Sequence, residues 1–163
     1  MKKRHFYYNQ KINNLKGIIE FKNVSFKYSN DEDEVLKDLN LKLVPNKKQA
    51  IVGRSGNGKS TIFNLLLRYF DSTKGKILID GINIKSLSED ALRNSISIIR
   101  QSPFLFNQSI LDNFRLVKED VTLEEVRSVC RRAYIDDYII NLPNGYDTII
   151  GEGGINLSGG QKQ

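Results

Sequence analysis

The chain has 163 residues, 39% hydrophobic and 27% charged, with a formal net charge of +6. That is enough length for a packed core, and the balance is that of a globular protein. No apolar run approaches the ~20 residues a membrane helix needs, and the start of the chain has no apolar signal-peptide core. Cys130 is the only cysteine, which excludes an internal disulfide and suits a reducing compartment. Lys2, Lys3, Arg4, Lys11 and Lys16 give residues 1–16 a charge of +5, leaving +1 for the rest. The leader therefore reads as a solvated basic arm, with attraction to anionic lipid headgroups as the alternative.

Val24, Phe26 and Tyr28 alternate with Ser25 and Lys27, and Leu39, Leu41 and Leu43 alternate with Asn40 and Lys42. Both are period-two patterns that predict strands, paired antiparallel across an acidic turn at residues 29–34. Gln49-Ala50-Ile51-Val52 is a short buried-strand candidate. It leads into Gly53-Arg54-Ser55-Gly56-Asn57-Gly58-Lys59-Ser60-Thr61, which fits G-x-x-x-x-G-K-[ST] at every fixed position. A helix is predicted from Ser60 to Phe70, with Ile62, Leu65, Leu66 and Tyr69 on one face and Phe63 and Leu67 beside it. Strand, glycine-rich loop and helix together converge backbone N–H groups and a helix N-terminus on a phosphate chain. In such a loop Lys59 reaches the β- and γ-phosphates, and the Ser60 hydroxyl completes a Mg²⁺ shell.

Further along, Asp80-Gly81 between Ile77-Leu78-Ile79 and Ile82-Asn83-Ile84 predicts a tight hairpin. Ser86 with Glu89 has capping-box spacing for a short helix to Arg93, and Ile96-Ser97-Ile98-Ile99 reads as another buried strand. Thr122 with Glu125 is a second capping box, opening a helix with a stripe of Leu123, Val126, Val129 and Cys130. Another helix is predicted from Tyr134 to Leu142, broken by Pro143-Asn144-Gly145. Residues 111–142 thus read as a mostly helical insert on an α/β core. The tail carries Gly151-Glu152-Gly153-Gly154 and then Leu157-Ser158-Gly159-Gly160-Gln161.

The pairing of the phosphate loop with LSGGQ at 157–161 makes the chain resemble the nucleotide-binding domain of ABC transporters. Other features agree: Tyr28 soon after the first strand, Gln101 after a buried strand, Pro103-Phe104-Leu105-Phe106 with Ser109-Ile110 and Asn113, and the exporter-like TIIGEGG at 148–154 with Glu152 at its acidic position. The resemblance covers nearly the whole chain. It implies an α/β, P-loop NTPase-type core with an antiparallel β subdomain and a helical insert, incomplete at the C-terminus. The domain division it implies is a leader at 1–16 and a partial ATP-binding cassette at 17–163.

It also implies ATP and Mg²⁺ as ligands. Tyr28 would stack on adenine, its alternative being a core aromatic on a strand. Gln101, with Ser60, would face the metal. Ser158, Gly159, Gly160 and Gln161 would close in trans over ATP held by a second nucleotide-binding domain, in a head-to-tail dimer. Phe104 and Phe106 would either dock a transmembrane domain at the cytoplasmic face of the membrane or pack internally.

The family's later motifs, an aspartate that holds Mg²⁺ through water, a glutamate that polarises water and a histidine switch, find no counterpart before Gln163. The sole histidine, His5, lies in the leader. No catalytic base is therefore assigned. The chain is expected to be a truncated or split cassette, marginally folded alone, that binds Mg-ATP at most weakly and does not turn it over. Two other functions compete. One is a non-catalytic partner lending LSGGQ to another cassette. The other is a soluble ABC ATPase acting on nucleic acid, against which the near-neutral body and exporter-like loops both count, so no nucleic-acid partner is expected.

Overall fold

The computed structural model describes residues 15–151 and 155–163. Most of the basic leader, His5 and Glu152 lie outside the described residues. The chain divides into two compact units, one running to Ser97 and the other Ile98–Gln163.

The first unit is built on an antiparallel sheet in the order β2-β1-β3-β4, with β1 at Ile19–Phe26, β2 at Leu36–Leu43, β3 at Lys74–Ile79 and β4 at Ile82–Asn83. β1 pairs with β2 on one side and β3 on the other. The simple alternation predicted for β1 fails at its end, because Val24, Ser25 and Phe26 are all buried. The cause is irregularity in the ladders: register shifts fall between Phe21 and Val24 toward β2 and between Lys22 and Ser25 toward β3. Asn23 there adopts φ 49°. Bulges of this kind bend a strand and re-aim its side chains. Opposite the bulge, a Cβ on Gly75 (φ 74°) would lie 2.2 Å from the Asn23 carbonyl oxygen, so only glycine fits.

The hairpin between β3 and β4 turns on Asp80 (φ 50°) and Gly81 (φ 82°), the two positive φ values of a type I′ turn. The Asp80 carboxylate also accepts backbone N–H bonds from Lys16 (2.7 Å), Gly17 (3.1 Å) and Ile18 (2.8 Å), tying the entry of β1 to the hairpin. Burial pushes its pKa up, but these three donors outweigh that and hold it below the ordinary aspartate value.

Helix α1, Lys59–Leu66, buries Thr61, Ile62, Leu65 and Leu66. It stops short of Phe70 because Arg68 turns to φ 55°. The Arg68 and Tyr69 N–H groups then bond back to Leu65 and Asn64 carbonyls, the paired closure of a Schellman motif. After β4, a 3₁₀ turn at Ile84–Ser86 precedes α2, Glu89–Ser95. The cap of α2 is Ser88, which accepts from the Ala91 N–H, and not Ser86, whose hydroxyl donates to the Asn83 carbonyl inside the 3₁₀ turn. Phe21, Val24, Leu65, Leu87 and Leu92 anchor the core of this unit. Full burial of such side chains contributes roughly 1.5–3 kcal/mol each.

Two predicted strands are absent. Residues 49–52 and 96–99 carry no ladder among the described residues, and Val52 and Ile99 are 87% and 74% exposed. An apolar tetrapeptide becomes a strand only when a lateral partner takes its backbone groups.

The second unit contains β5 (Gln108–Ser109), α3 (Ile110–Arg115), α4 (Leu123–Arg132), α5 (Asp136–Ile140), β6 (Ile149–Ile150) and α6 (Gly159–Lys162), with β5 and β6 paired antiparallel. The Thr122–Glu125 capping box forms with both of its bonds. α5 is shorter than predicted because Tyr134 (φ 59°) closes α4, the Tyr134 and Ile135 N–H groups bonding to Arg131 and Cys130 carbonyls. The core here is Ile110, Leu111, Val126, Cys130, Ile139, Tyr146 and Ile150.

Beside it lies a buried charge. Asp136 accepts two bonds from Arg127 (both 3.2 Å), one from Arg131 (3.4 Å) and one from the Tyr146 hydroxyl (2.8 Å). The Arg127 guanidinium foremost holds the Asp136 carboxyl at about 2, against an ordinary 3.8. Burial in turn pushes the Tyr146 phenol up.

Gly75→Ala is expected to destabilise the chain by well over ~2 kcal/mol, since backbone must move, whereas Gly81→Ala, with open space around its Cβ, costs only the ~1–2 kcal/mol of a left-handed residue. Thermal melts of the two variants check the contrast. A carboxyl with a lowered folded pKa stabilises fully above its unfolded value and loses that contribution as pH falls. For Asp136 the loss spans about pH 4 to 2. Asp136→Asn is expected to lower the melting temperature at neutral pH and to flatten the acid limb over that window. An unchanged limb would remove Asp136 as its source.

Candidate functional site

The glycine-rich loop folds around Gly58, the N-terminal flank of α1. Gly58 sits in the left-handed region (φ 76°), and a Cβ there would lie 2.9 Å from Leu36 Cδ2 and 3.2 Å from the Val35 carbonyl oxygen. The start of β2 is thus the wall against which the loop is seated. Gly56 is also left-handed (φ 85°) with open space around it, so the chain can turn outward there.

α1 differs from several other helices of the chain in how it opens. Ser88, Ser109, Thr122 and Ser158 each cap a helix with a side-chain oxygen. Gly58 supplies none, and no acid stands in the first turn of α1. The N–H groups at the start of a helix are intrinsic anion donors, and here no side chain of the cap competes for them. Lys59 stands at the first helical position. Its ammonium donates to the carbonyls of Gly53 (2.7 Å) and Arg54 (2.6 Å), inside the turn of the loop. Ser60 is exposed beside it, and Thr61 is buried.

Tyr28 lies in the same unit, two residues past β1. It is 46% exposed, hydrogen-bonded through its hydroxyl to Thr61 Oγ1 (2.9 Å), and in edge-to-face contact with Phe26 and Phe70. It is therefore neither on a strand nor a buried core aromatic. Sequence reasoning did not anticipate the Tyr28–Thr61 bond, nor the seating of Gly58 on Val35 and Leu36. The second had a signal, since a glycine at a helix start implies something close where a side chain would be.

Gln101 and residues 157–161 belong to the second unit. Gln101 is exposed, and its carbonyl accepts from the Gln163 side chain (3.3 Å). Ser158 forms a full capping box with Gln161: the Gln161 N–H donates to Ser158 Oγ (3.3 Å) and the Ser158 N–H to Gln161 Oε1 (2.8 Å). Gly159 and Gly160 are exposed with open space on their Cβ side. Phe104 and Phe106 do not bury themselves. They stack edge to face on each other at 5.0 Å and remain 77% and 53% exposed. Asn113 pins their loop with a bond from the Phe106 N–H (2.8 Å) and another to the Phe106 carbonyl (3.1 Å).

Comparison with known proteins agrees with this geometry. The family profile for the ABC transporter matches residues 36–163. The chain belongs to the ABC transporter family. It is 42% identical over 153 residues to YgaD of Bacillus subtilis (strain 168), named provisionally as a multidrug export ATP-binding/permease protein, covering 94% of this chain and 26% of that one. It is 46% identical over 154 residues to a protein of the same provisional description, SAOUHSC_02003 of Staphylococcus aureus (strain NCTC 8325 / PS 47), with 94% and 27% coverage. Among solved structures, a bacterial Atm1-family ABC exporter with ATP bound superposes with a TM-score of 0.82 at 38% identity, over 95% of this chain and 28% of that one. The chain thus spans about a quarter of the length of these relatives. It has the mixed α/β fold of an ABC ATPase, a P-loop NTPase core with an antiparallel sheet.

Gly58→Ala is expected to displace the loop from β2 and to cost ~1–2 kcal/mol for the left-handed backbone alone. Amide hydrogen exchange would show faster exchange across residues 53–62. Exchange as slow as in the parent would mean that Val35 and Leu36 do not set the loop.

Proposed function

We propose that this chain binds Mg-ATP as the ATP-binding part of an ABC exporter, in which nucleotide binding and hydrolysis are coupled to transport across a membrane. The observation that supports it most is the start of α1: a glycine in place of a side-chain cap, no acid in the first turn, and Lys59 held over the loop. These residues fit a phosphate chain. The N–H groups of the first turn and the Lys59 ammonium would hold the β- and γ-phosphates, with Gly53, Arg54, Ser55, Gly56 and Asn57 shaping the loop around them.

No cluster of three metal-ligating acids, histidines or cysteines exists among the described residues. Mg²⁺ would be held largely by phosphate oxygens, with the Ser60 hydroxyl as a protein ligand, and would neutralise phosphate charge when bound. Tyr28 would carry adenine by stacking. Neither the loop nor the signature holds a residue suited to abstract a proton from water, so water activation is assigned to none of them.

Ser158, Gly159, Gly160 and Gln161 would serve a second ATP-binding domain, closing over its nucleotide in a head-to-tail dimer. Their capping box supports this, because it orders the segment before any partner arrives. The exposed Phe104–Phe106 pair would meet a transmembrane partner at the cytoplasmic face of the membrane. No helix among the described residues is long and apolar enough to cross a membrane.

Lys59→Ala is expected to weaken Mg-ATP binding about 10- to 100-fold, the range for losing a charged hydrogen-bond donor, with the circular dichroism spectrum unchanged. Titration calorimetry measures it. Equal affinity in the variant would sink the reading.

A further inference from the structure

The contacts of Tyr28 are more than stacking on a base requires. Its ring is held by Phe26 at the end of β1 (centroids 4.8 Å apart, 84° between planes) and by Phe70 beyond the end of α1 (5.1 Å, 90°). Its hydroxyl meets Thr61 Oγ1 at 2.9 Å. Thr61 directly follows the last position of the loop motif, lies in the first turn of α1 and is only 4% exposed. A buried threonine hydroxyl needs a partner, and leaving it without one is costly. The tyrosine hydroxyl on a half-exposed ring could be served by water instead. The bond therefore satisfies Thr61 and, in doing so, fixes where the Tyr28 ring stands relative to the phosphate loop.

We propose that the Tyr28–Thr61 hydrogen bond makes Tyr28 a positioning residue, presetting the distance between the base-stacking ring and the phosphate loop. The site thereby selects ligands that carry a nucleoside base and a phosphate chain together over a phosphate chain alone. This rests on the Mg-ATP reading above and adds a role for the hydroxyl to the role of the ring. The physical basis is preorganisation: a side chain already held in place loses less freedom when the ligand arrives, and the saving appears only for ligands that touch both parts.

The test compares ATP with inorganic tripolyphosphate, each with Mg²⁺, by calorimetry on the full chain. The variants are Tyr28→Phe, which keeps the ring and removes only the hydroxyl, Thr61→Val, and both together. The quantity read is the ratio of the two affinities, in which any direct contact of Thr61 with phosphate cancels.

Tyr28→Phe is expected to lower the ATP-to-tripolyphosphate ratio about three- to tenfold, and to have no further effect once Thr61 is valine. A bond of purely structural value would weaken both ligands alike and leave the ratio untouched, and that result overturns the inference. So does a Tyr28→Phe effect of equal size in the Thr61→Val background. If the parent chain binds ATP no better than tripolyphosphate, base stacking by Tyr28 fails and the inference falls with it. If the parent prefers ATP and Tyr28→Phe keeps that preference, only the inference falls.

Discussion

The hydrogen bond from the Val35 N–H to the Phe26 carbonyl, 2.8 Å long, closes the connection between β1 and β2, and the site hangs from that closure. On one side of it the chain leaves β1 and delivers Tyr28. On the other it enters β2 with Val35 and Leu36, the wall behind Gly58. The position of β1 is in turn fixed from both flanks, by β2 and by β3, with Thr73 bonding the Ser25 carbonyl through both its N–H (2.9 Å) and its hydroxyl (2.7 Å). A central strand paired on two sides is a rigid support, and loops at its end inherit that rigidity. The Asn23–Gly75 bulge serves the same end. It turns Val24, Ser25 and Phe26 into the core, so that Phe26 can meet Tyr28 and Phe70.

The two units are stabilised by different means. The first relies on apolar side chains between sheet and helix, with Asp80 as a single polar tie at its hairpin. The second has a smaller apolar core and places Asp136, almost fully buried, beside it. A buried carboxylate is tolerable only when its lone pairs are filled, and Arg127, Arg131 and Tyr146 fill them. Such a cluster joins α4, α5 and the turn at Gly145–Asp147 by directional bonds, where apolar contact alone would allow sliding. Short helices of five or six residues have little stability of their own. Directional bonds that fix one against another therefore matter more here than in the first unit.

How much of this was legible in the sequence follows from the range of each signal. Signals confined to a few residues were read correctly: Asp80-Gly81 as a two-residue turn, Thr122 with Glu125 as a capping box, the glycine-rich loop as a turn into a helix. Each is decided by local backbone chemistry. Ser86 was mistaken for a cap because Ser88 two residues on offers the same hydroxyl, and the choice depends on the 3₁₀ turn before it. The end of α1 and the start of α5 were overrun because Arg68 and Tyr134 take left-handed conformations that neither residue type advertises. Residues 49–52 and 96–99 have strand composition, but a strand is a property of two segments, and one sequence pattern cannot supply the second. The Tyr28–Thr61 bond joins positions 33 residues apart and leaves no periodic trace at all.

The chemistry of the site follows from charge as much as from shape. Residues 53–61 contain Arg54 and Lys59 and no acid, in a chain body that is otherwise nearly neutral. Two cations, free helical N–H groups and three glycines at one turn sum to a local field for which a phosphate chain is the complementary ligand. That field alone would accept any polyphosphate. On the Mg-ATP reading proposed above, selectivity for a nucleotide would come from outside the loop, from a flat apolar surface at a set distance, and Tyr28 is the half-exposed aromatic that follows the end of β1. On that reading, binding strength and ligand identity would reside in different parts of one unit. The Phe26–Val35 closure is the constraint that holds those two parts in register.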